Sequence, residues 1–526
     1  MFYQIIDKLR KKKLLLLVLF FVLLFLKVDY RFVNSIECCG DDFDYYIHAQ
    51  TIAIDLDLNY SNQLQENQHN KYNGKIAPKG FVGSGLLSAP FYFLGENIDK
   101  LFNIYGIFNF KIITYSLSSV FYLFLGYKFL LKSLLLINKN LDKLLFFVLF
   151  FGSGVSYYAF ERFSMTHSYE VFSSSLIIYL TTKFFYEQNN KKKNKYAFLI
   201  PLFIVLGLLT RWTNYYLILL PILIYKLLNN NGDSLKLFKN RYFWISNILS
   251  FFIFCTFSYL VYGVITFNPQ YVYDINKLEG FFNLSLEFFI SNIKNLFVIF
   301  FGQEFGLFWI SISICAGFFI TVINFLKNSN RFTHFLILMS YLQVIATVLI
   351  WRTTASSYGF RYLFTLIPLS IFIIFFNKVY LENNIYKYTL YILSLFGLAS
   401  VLFFESNINV QLSTLPITNS FGVENIRYSN PNYVLGLLNT FVEPYSYLSV
   451  MARSFVGAFL IKISLIFIGQ NRLIEILQNI GLPSQNLDFI NLLEIIESIS
   501  VYKFVYFLLL LILLVNLIFN SSKFKD

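Results

Sequence analysis

Long apolar runs, separated by short polar or basic segments, recur along the whole chain. A helix that crosses the hydrocarbon core of a membrane needs roughly 20 predominantly apolar residues. Runs of this kind lie near 14–27, 108–131, 143–159, 169–186, 197–210, 213–228, 242–264, 306–326, 333–351, 362–377, 387–404 and 503–519. They predict an all-α polytopic membrane protein with about twelve transmembrane helices. The first run follows Lys8, Arg10, Lys11, Lys12 and Lys13, and no small-residue cleavage site comes after it. It reads as an uncleaved first helix with its N-terminus in the cytoplasm.

Alternation from that start sets the sidedness of every loop. Lys139 to Lys143, Lys191 to Lys195, Lys236 to Arg241, Lys327 to Arg331, Lys378 and the tail Lys523/Lys525 all fall on the cytoplasmic side. The known bias of Lys and Arg toward cytoplasmic loops agrees at each of them. The opposite face receives residues 30–80, 160–168, 211–212, 265–305 and 352–361 and a region of about 405–502. That division gives a transmembrane module over 1–404, with a first outer loop over 30–95. An extracytoplasmic or interfacial region follows over 405–502, then a last helix and cytoplasmic tail over 503–526. Lys462, Glu494 and Glu497 interrupt the apolar stretches of 454–469 and 487–500, which favours helices lying on the membrane surface over spans.

Composition removes the soluble alternatives. Apolar residues make up 57% and charged residues only 13%, against roughly 45–50% and about 25% in soluble domains. The net charge of +13 follows from the cytoplasmic loops, so no nucleic-acid partner is implied. Four cysteines, with Cys38 and Cys39 adjacent and Cys255 and Cys315 in apolar segments, form neither a disulfide framework nor a metal-ligand spacing.

Candidate chemistry gathers on the outer face. The first outer loop opens with Gly40-Asp41-Asp42-Phe43-Asp44-Tyr45-Tyr46 and continues as a helix to about Ile54. Tyr45, Tyr46, Ala49 and Ala53 fall on one face, with Asp41 and Asp42 at its start. Adjacent carboxylates beside a bilayer suit a general base or a cation site; an N-cap that complements the helix dipole is the plain alternative. Asp44 reads as a solvated member of that cap, and Asp55 and Asp57 as turn residues. Further on, Tyr72-Asn73-Gly74-Lys75-Ile76-Ala77-Pro78-Lys79-Gly80-Phe81-Val82-Gly83-Ser84-Gly85 precedes an apolar run from Leu86 to Leu94. Glycines there admit close approach of a ligand to backbone, and Lys79 is a point charge for phosphate or for lipid headgroups. The spacing is not that of a P-loop.

Later loops add His167 and Glu170 at i and i+3 on a helix entering the membrane, Arg211 between two short helices, Glu304 in Gly302-Gln303-Glu304-Phe305-Gly306, and Arg361 in Tyr358-Gly359-Phe360-Arg361-Tyr362. Ionisable groups at such depth are costly unless paired or functional, and an arginine at a helix start needs an anionic partner. Interfacial anchoring and phospholipid contact are the plain readings of each residue alone. Taken together, they predict one polar site of carboxylates and phosphate-binding cations at the outer membrane boundary.

On these residues the chain resembles the type C glycosyltransferases, the polytopic enzymes that use polyprenyl-phosphate-linked sugars. The similarity is greatest to the bacterial branch of protein mannosyltransferases and aminoarabinose transferases. It rests on the acidic pair Asp41-Asp42, Pro78-Lys79-Gly80, the run Leu86-Leu87-Ser88-Ala89-Pro90-Phe91, Thr166-His167-Ser168-Tyr169-Glu170, Gly306-Leu307-Phe308 and Tyr358-Gly359-Phe360-Arg361-Tyr362, and spans about residues 1–375. Relatives often carry Asp-Glu where this chain has Asp-Asp. The resemblance implies an inverting transfer of a sugar from a polyprenyl-phosphate donor to the hydroxyl of a lipid, glycan or protein acceptor, at the outer face of a bacterial cytoplasmic membrane. It implies Asp41 as base with Asp42 second, and Lys79, Arg211 and Arg361 on the donor phosphate. His167, Glu170 and Glu304 orient the acceptor. It leaves open a divalent metal held by Asp41, Asp42 or His167. Two other functions share an outer polar site. A transporter or flippase of lipid-linked sugars would carry charged or broken helices at mid-membrane in paired halves, which are not evident here. A glycan polymerase would have an arginine-rich late outer loop, whereas 405–502 holds only Arg427, Arg453 and Arg472.

Overall fold

Helix starts in this chain are written into its polar junctions. Asp142, Asn189 and Asn240 each accept a backbone N–H from the first turn of the helix that follows, at 3.1, 2.9 and 2.9 Å. These bonds satisfy amides that have no partner within the helix. The computed structural model describes residues 40–65, 71–103, 110–229, 236–269, 299–301, 306–327, 330–351 and 360–403, less Asn73 and Glu161, with isolated positions at 293, 296, 297, 468, 472, 475, 476 and 479. The apolar runs at 14–27 and 503–519, the region 405–502 apart from those isolated positions, and Glu304 lie outside the described residues.

In chain order the described elements begin with α1 (Gly40–Ile54), a two-strand hairpin of β1 (Lys71–Tyr72) and β2 (Lys75–Ile76), and α2 (Gly83–Phe102). There follow α3 (Phe110–Ile137), α4 (Lys143–Phe151), α5 (Val155–Phe160), α6 (His167–Tyr186) and α7 (Asn190–Thr210). A 3₁₀ turn (Trp212–Ile218) leads into α8 (Leu220–Leu228), and α9 spans Arg241–Tyr262. The last group is α10 (Leu307–Ile310), α11 (Ile312–Leu326), α12 (Arg331–Trp351), a 3₁₀ turn (Arg361–Leu366), α13 (Ile367–Phe376), α14 (Lys378–Glu382) and α15 (Asn384–Phe403). The described residues are all-α apart from the small hairpin. Phe110–Ile137, Asn190–Thr210, Arg241–Tyr262 and Arg331–Leu349 are long and apolar enough to cross a membrane.

Helix α6 is the axis of the body. It packs against α3, α5, α7, α8, α13 and the 3₁₀ turn Arg361–Leu366, and its side chains from His167 to Ile178 are buried. Its seam with α3 is built from small polar residues: Ser119 Oγ donates to Ser168 Oγ at 2.9 Å, Ser118 Oγ meets Tyr169 OH at 2.7 Å, and Ser133 Oγ meets Thr182 Oγ1 at 2.8 Å. Small side chains let helix backbones come close, and the hydroxyls satisfy one another where water is absent. A helix encased in this way needs no continuous apolar surface of its own.

Four predicted helices are broken in the structure, among them the run 306–326, which divides into α10 and α11 at Ser311. The run 143–159 divides into α4 and α5 at Gly152-Ser153-Gly154, where a Cβ on Gly152 would lie 2.1 Å from the Ser394 carbonyl oxygen and one on Gly154 2.2 Å from the Phe364 ring. The runs from 213 and 362 each begin with a 3₁₀ turn and become α-helical only at Leu220 and Ile367, beside Pro221 and Pro368. Proline suits the first turn of a helix, and its missing N–H breaks the ladder upstream. Conversely, α2 is a full 20-residue helix, longer than the apolar run from Leu86 to Leu94 suggested.

The segment from α1 to α2 is held to the body by two polar anchors and a set of close approaches. Helix α1 runs from Gly40 to Ile54 as predicted, with Tyr45, Ala49 and Ala53 buried. His48 is fully buried, with Nε2 2.8 Å from the Gly80 carbonyl and Nδ1 2.7 Å from Tyr60 OH. Burial pushes its pKa down to about 4, so the ring is neutral, donates from Nε2 and accepts at Nδ1. Tyr262, at the end of α9, donates to the same Gly80 carbonyl at 2.6 Å.

The glycines of 80–85 serve these contacts rather than a ligand, which corrects the sequence-based expectation. A Cβ on Gly80 would meet the Tyr45 ring at 2.2 Å, on Gly83 the Thr210 backbone at 2.5 Å, and on Gly85 His48 at 2.4 Å. Gly126 differs, its nearest neighbour being 3.2 Å away. Gly85→Val should therefore detach α1 from α2 and abolish a monodisperse fold, while Gly126→Ala should cost about 1 kcal/mol or less. Size-exclusion profiles and thermal melts in detergent check the pair; a Gly85→Val protein that melts with wild type would contradict this packing.

Candidate functional site

Helix α1 carries two acids at its start, and helical geometry sends neighbours about 100° apart around the axis. Asp41 and Asp42 accordingly meet different arginines. Asp41 Oδ2 accepts from Arg361 Nη2 at 2.7 Å, with 31% of the Asp41 side chain and 14% of the Arg361 side chain exposed. Asp42 Oδ2 accepts from both Nη2 and Nε of Arg162, at 2.6 and 2.8 Å, with side chains only 5% and 8% exposed. The Asp42 carbonyl also accepts from Ser164 Oγ, which meets Tyr115 OH at 2.9 Å. Asp42 thus fastens α1 to the 162–166 segment, and Asp41 is the more open of the pair.

Four cations act on Asp41. Burial raises its pKa, but the charges of Arg361, Arg211, Arg162 and Lys79 outweigh burial and hold the carboxyl below its ordinary range. The residues that sequence placed on one face, from α1, the Lys79 loop, the end of α7 and the segment before α13, therefore come together around this carboxylate.

Beneath Asp41 lies a second, deeper set. Arg211 is 2% exposed and stacks at 4.0 Å over the Tyr362 ring. Its Nη1 lies 3.1 Å from Thr166 Oγ1, 3.3 Å from Glu170 Oε1 and 3.2 Å from His167 Nε2. Thr166 also donates to Glu170 Oε1, and His167 packs edge-on against Tyr158 at 4.4 Å. Arg361 lies over the same Tyr362 ring at 5.5 Å. Tyr362 thus carries both guanidinium groups, an arrangement in which the planar cation and ring attract each other. The N–H groups Nε and Nη2 of Arg211 and Nε of Arg361 have no hydrogen-bond partner among the described residues. A buried Arg–Glu pair that loses one member leaves an uncompensated charge, at a cost of about 3–5 kcal/mol.

These positions revise several expectations. His167 and Glu170 do not face outward as surface anchors; both are 0% exposed, and they hold Arg211. Arg211 is committed to Glu170 and Thr166 rather than open to solvent. Asp41, Asp42 and His167, the residues named for a possible metal, lie against Arg361, Arg162 and Arg211. Arg162, Thr166 and Tyr362 were not singled out from sequence. Thr166 and Tyr362 sit within motifs that were, Arg162 lies in the loop 160–168, and only the fold assigns their partners.

Asp44 also departs from expectation. It is 8% exposed, not solvated. Its carboxylate accepts the Lys79 backbone N–H, and Oδ2 has no hydrogen-bond partner among the described residues. Burial, reinforced by the Asp41 charge, pushes its pKa up to about 7, against the pull of Lys79.

No protein-family model, curated protein or solved structure matches the chain. The site is therefore interpreted on its geometry.

Folding raises the pKa of Asp44, so the folded state holds its proton more tightly than the unfolded state. The stability this gives is present below the ordinary value of 3.8 and is lost as pH rises toward about 7. Asp44→Asn keeps the acceptor for Lys79 and removes the charge. It should melt higher than wild type by a margin that grows across that pH window, as read from melts in detergent. A variant less stable than wild type at pH 8 would show that the ionised form is the one the fold wants.

Proposed function

We propose that this protein transfers a sugar from a polyprenyl-phosphate-linked donor to an acceptor hydroxyl of a lipid, glycan or protein. The reading places it in a bacterial cytoplasmic membrane, with about twelve spans, a cytoplasmic N-terminus and a type C glycosyltransferase architecture whose site faces outward. The observation that carries it is the convergence on Asp41 of Arg361, Arg211, Arg162 and Lys79 from distant parts of the chain. A carboxylate among cations with spare N–H groups suits a reaction that removes a hydroxyl proton and expels a phosphate.

In this mechanism Asp41 accepts the acceptor's hydroxyl proton as the oxygen forms a bond to the anomeric carbon from the face opposite the phosphate. The bond from that carbon to the phosphate oxygen breaks, and polyprenyl phosphate departs with the electron pair. Asp41 is ionised, as a base must be. Arg361 gives up its bond to Asp41 as the phosphate arrives, which removes the strongest cation from the base when basicity is needed. Lys79 approaches the phosphate from the loop after the hairpin, and Arg211 acts through its field from below. Preorganised charge of this kind stabilises a leaving anion at no cost of reorganisation during the reaction. Asp42, bound to Arg162, fixes the angle at which Asp41 is presented, and His167 and Glu170 hold Arg211 in place. Glu304 keeps its assignment to the acceptor side. No step requires a metal.

Asp41→Asn should lower transfer by about 10²–10⁴-fold, the usual contribution of a general base, with the melt unchanged within 2 °C or so of wild type. Normal turnover in Asp41→Asn with Asp42 intact would assign the base to Asp42, and normal turnover in the double variant would remove the mechanism. Lys79→Ala and Arg361→Ala should each weaken binding of a polyprenyl-phosphate sugar by about tenfold or more, the loss of one charge-assisted phosphate contact. Unchanged donor affinity in both would show that neither touches the phosphate.

A further inference from the structure

Away from the Asp41 cluster, a cavity of about 830 Å³ opens between the end of α1, the β1–β2 hairpin, α2 and the last turns of α9. Ile52 on its wall is 11 residues beyond Asp41, about 16 Å along the helix. The cavity is within the range of roughly 300–1,000 Å³ typical of small-molecule sites. Its walls are apolar, formed by Ile52, Leu58, Ile76, Leu86, Phe257 and Leu260. Its rim is polar and carries both signs of charge, Lys75 and Asp57, beside Asn59 and Ser61.

Two features say what fits it. The wall formed by Phe257 and Leu260 belongs to α9, one of the helices long and apolar enough to cross a membrane, whose side chains Phe251, Phe252, Tyr259 and Leu260 are exposed. The cavity is therefore continuous with a surface that hydrocarbon covers. The rim, in turn, pairs a cation with an anion. Lys75 Nζ donates to the Leu260 carbonyl at 2.8 Å, which uses one of the three N–H groups of an ammonium and leaves donors for a phosphate. Asp57 Oδ1 accepts the Asn59 backbone N–H at 3.0 Å, and a carboxylate retains further acceptor positions for an amine.

We infer that this cavity binds a membrane phospholipid whose headgroup carries both a phosphate and a primary amine, of the phosphatidylethanolamine type, with its acyl chain among Ile52, Leu86, Phe257 and Leu260, its phosphate on Lys75 and its ammonium on Asp57. A purely anionic headgroup would satisfy Lys75 and leave Asp57 without a cation. A choline headgroup has no N–H to donate to the carboxylate. The inference rests on α9 as a membrane helix and is independent of the sugar-transfer chemistry at Asp41.

The test uses the full-length protein in phosphatidylcholine nanodiscs doped in turn with phosphatidylethanolamine, phosphatidylglycerol or phosphatidylcholine bearing a photoreactive acyl chain. Crosslinked peptides are then quantified by mass spectrometry. Phosphatidylethanolamine should label the peptides of Leu58, Leu86 and Leu260 in excess over the other two lipids. Lys75→Gln and Asp57→Asn should each reduce that excess by about threefold or more, the scale of one partly exposed charge contact. Labelling at Phe251 and Phe252, on the outward face of α9, should stay constant and report intact folding and insertion. Leu86→Phe, which fills the cavity without touching the rim, should suppress cavity labelling for all three lipids. Equal labelling by the three lipids, or an excess of phosphatidylethanolamine that survives both rim variants, would overturn the inference.

Discussion

Charge placed inside an apolar body has to be answered by opposite charge, and this constraint organises the protein around Tyr362. Arg211 and Arg361 both lie over its ring. Each is answered by a carboxylate from elsewhere in the chain, Glu170 from the start of α6 and Asp41 from the start of α1. The lower pair is sealed; the upper pair is partly open. Helix α6 holds its buried acid against Thr166, His167 and Arg211, and α1 is held at its start by Arg162 on Asp42 and in its middle by His48 on the Gly80 carbonyl, which Tyr262 also meets. Stability and chemistry thus draw on neighbouring ion pairs, and among the described residues both keep unpartnered guanidinium N–H groups, Nε and Nη2 on Arg211 and Nε on Arg361.

That division separates two neighbouring acids of the same type. Asp42 faces inward and forms a two-point bond with Arg162; Asp41 faces the open side and forms a single bond with Arg361. A pair held by two hydrogen bonds converging on one buried carboxylate oxygen is hard to dismantle, whereas a single bond at a partly exposed carboxylate can be exchanged for another anion. The acid suited to turnover is the one with the weaker hold.

Much of this arrangement was legible in the sequence, and the parts that were not have physical reasons. Helix α1, its buried face of Tyr45, Ala49 and Ala53, and the turn at Asp55 follow from local spacing, as do the long apolar helices. The gathering of Asp41, Lys79, Arg211 and Arg361 was legible because alternation of apolar runs sorts loops by side. Which arginine answers which acid was not, since Asp41 and Arg361 are 320 residues apart and Asp42 and Arg162 are 120 apart; sidedness narrows partners without choosing among them. Asp44 looked solvated because nothing nearby in sequence buries it, and the Lys79 loop that does so arrives only in the folded state. The glycines of 80–85 looked like room for a ligand because a glycine's neighbour cannot be read from its own position, and the neighbours are Tyr45, His48 and the end of α7.

The central claim is that a lipid-linked sugar is consumed at Asp41. Mass spectrometry of membrane lipids and surface glycans, from cells with and without the protein, tests it most directly. On this account, loss of the protein causes one polyprenyl-phosphate sugar to accumulate and one sugar to disappear from a surface glycan, lipid or protein, and a copy carrying Asp41→Asn restores neither. Lipid-linked sugar pools and surface sugars that are the same in both cells, or full restoration by Asp41→Asn together with Asp42→Asn, would contradict it.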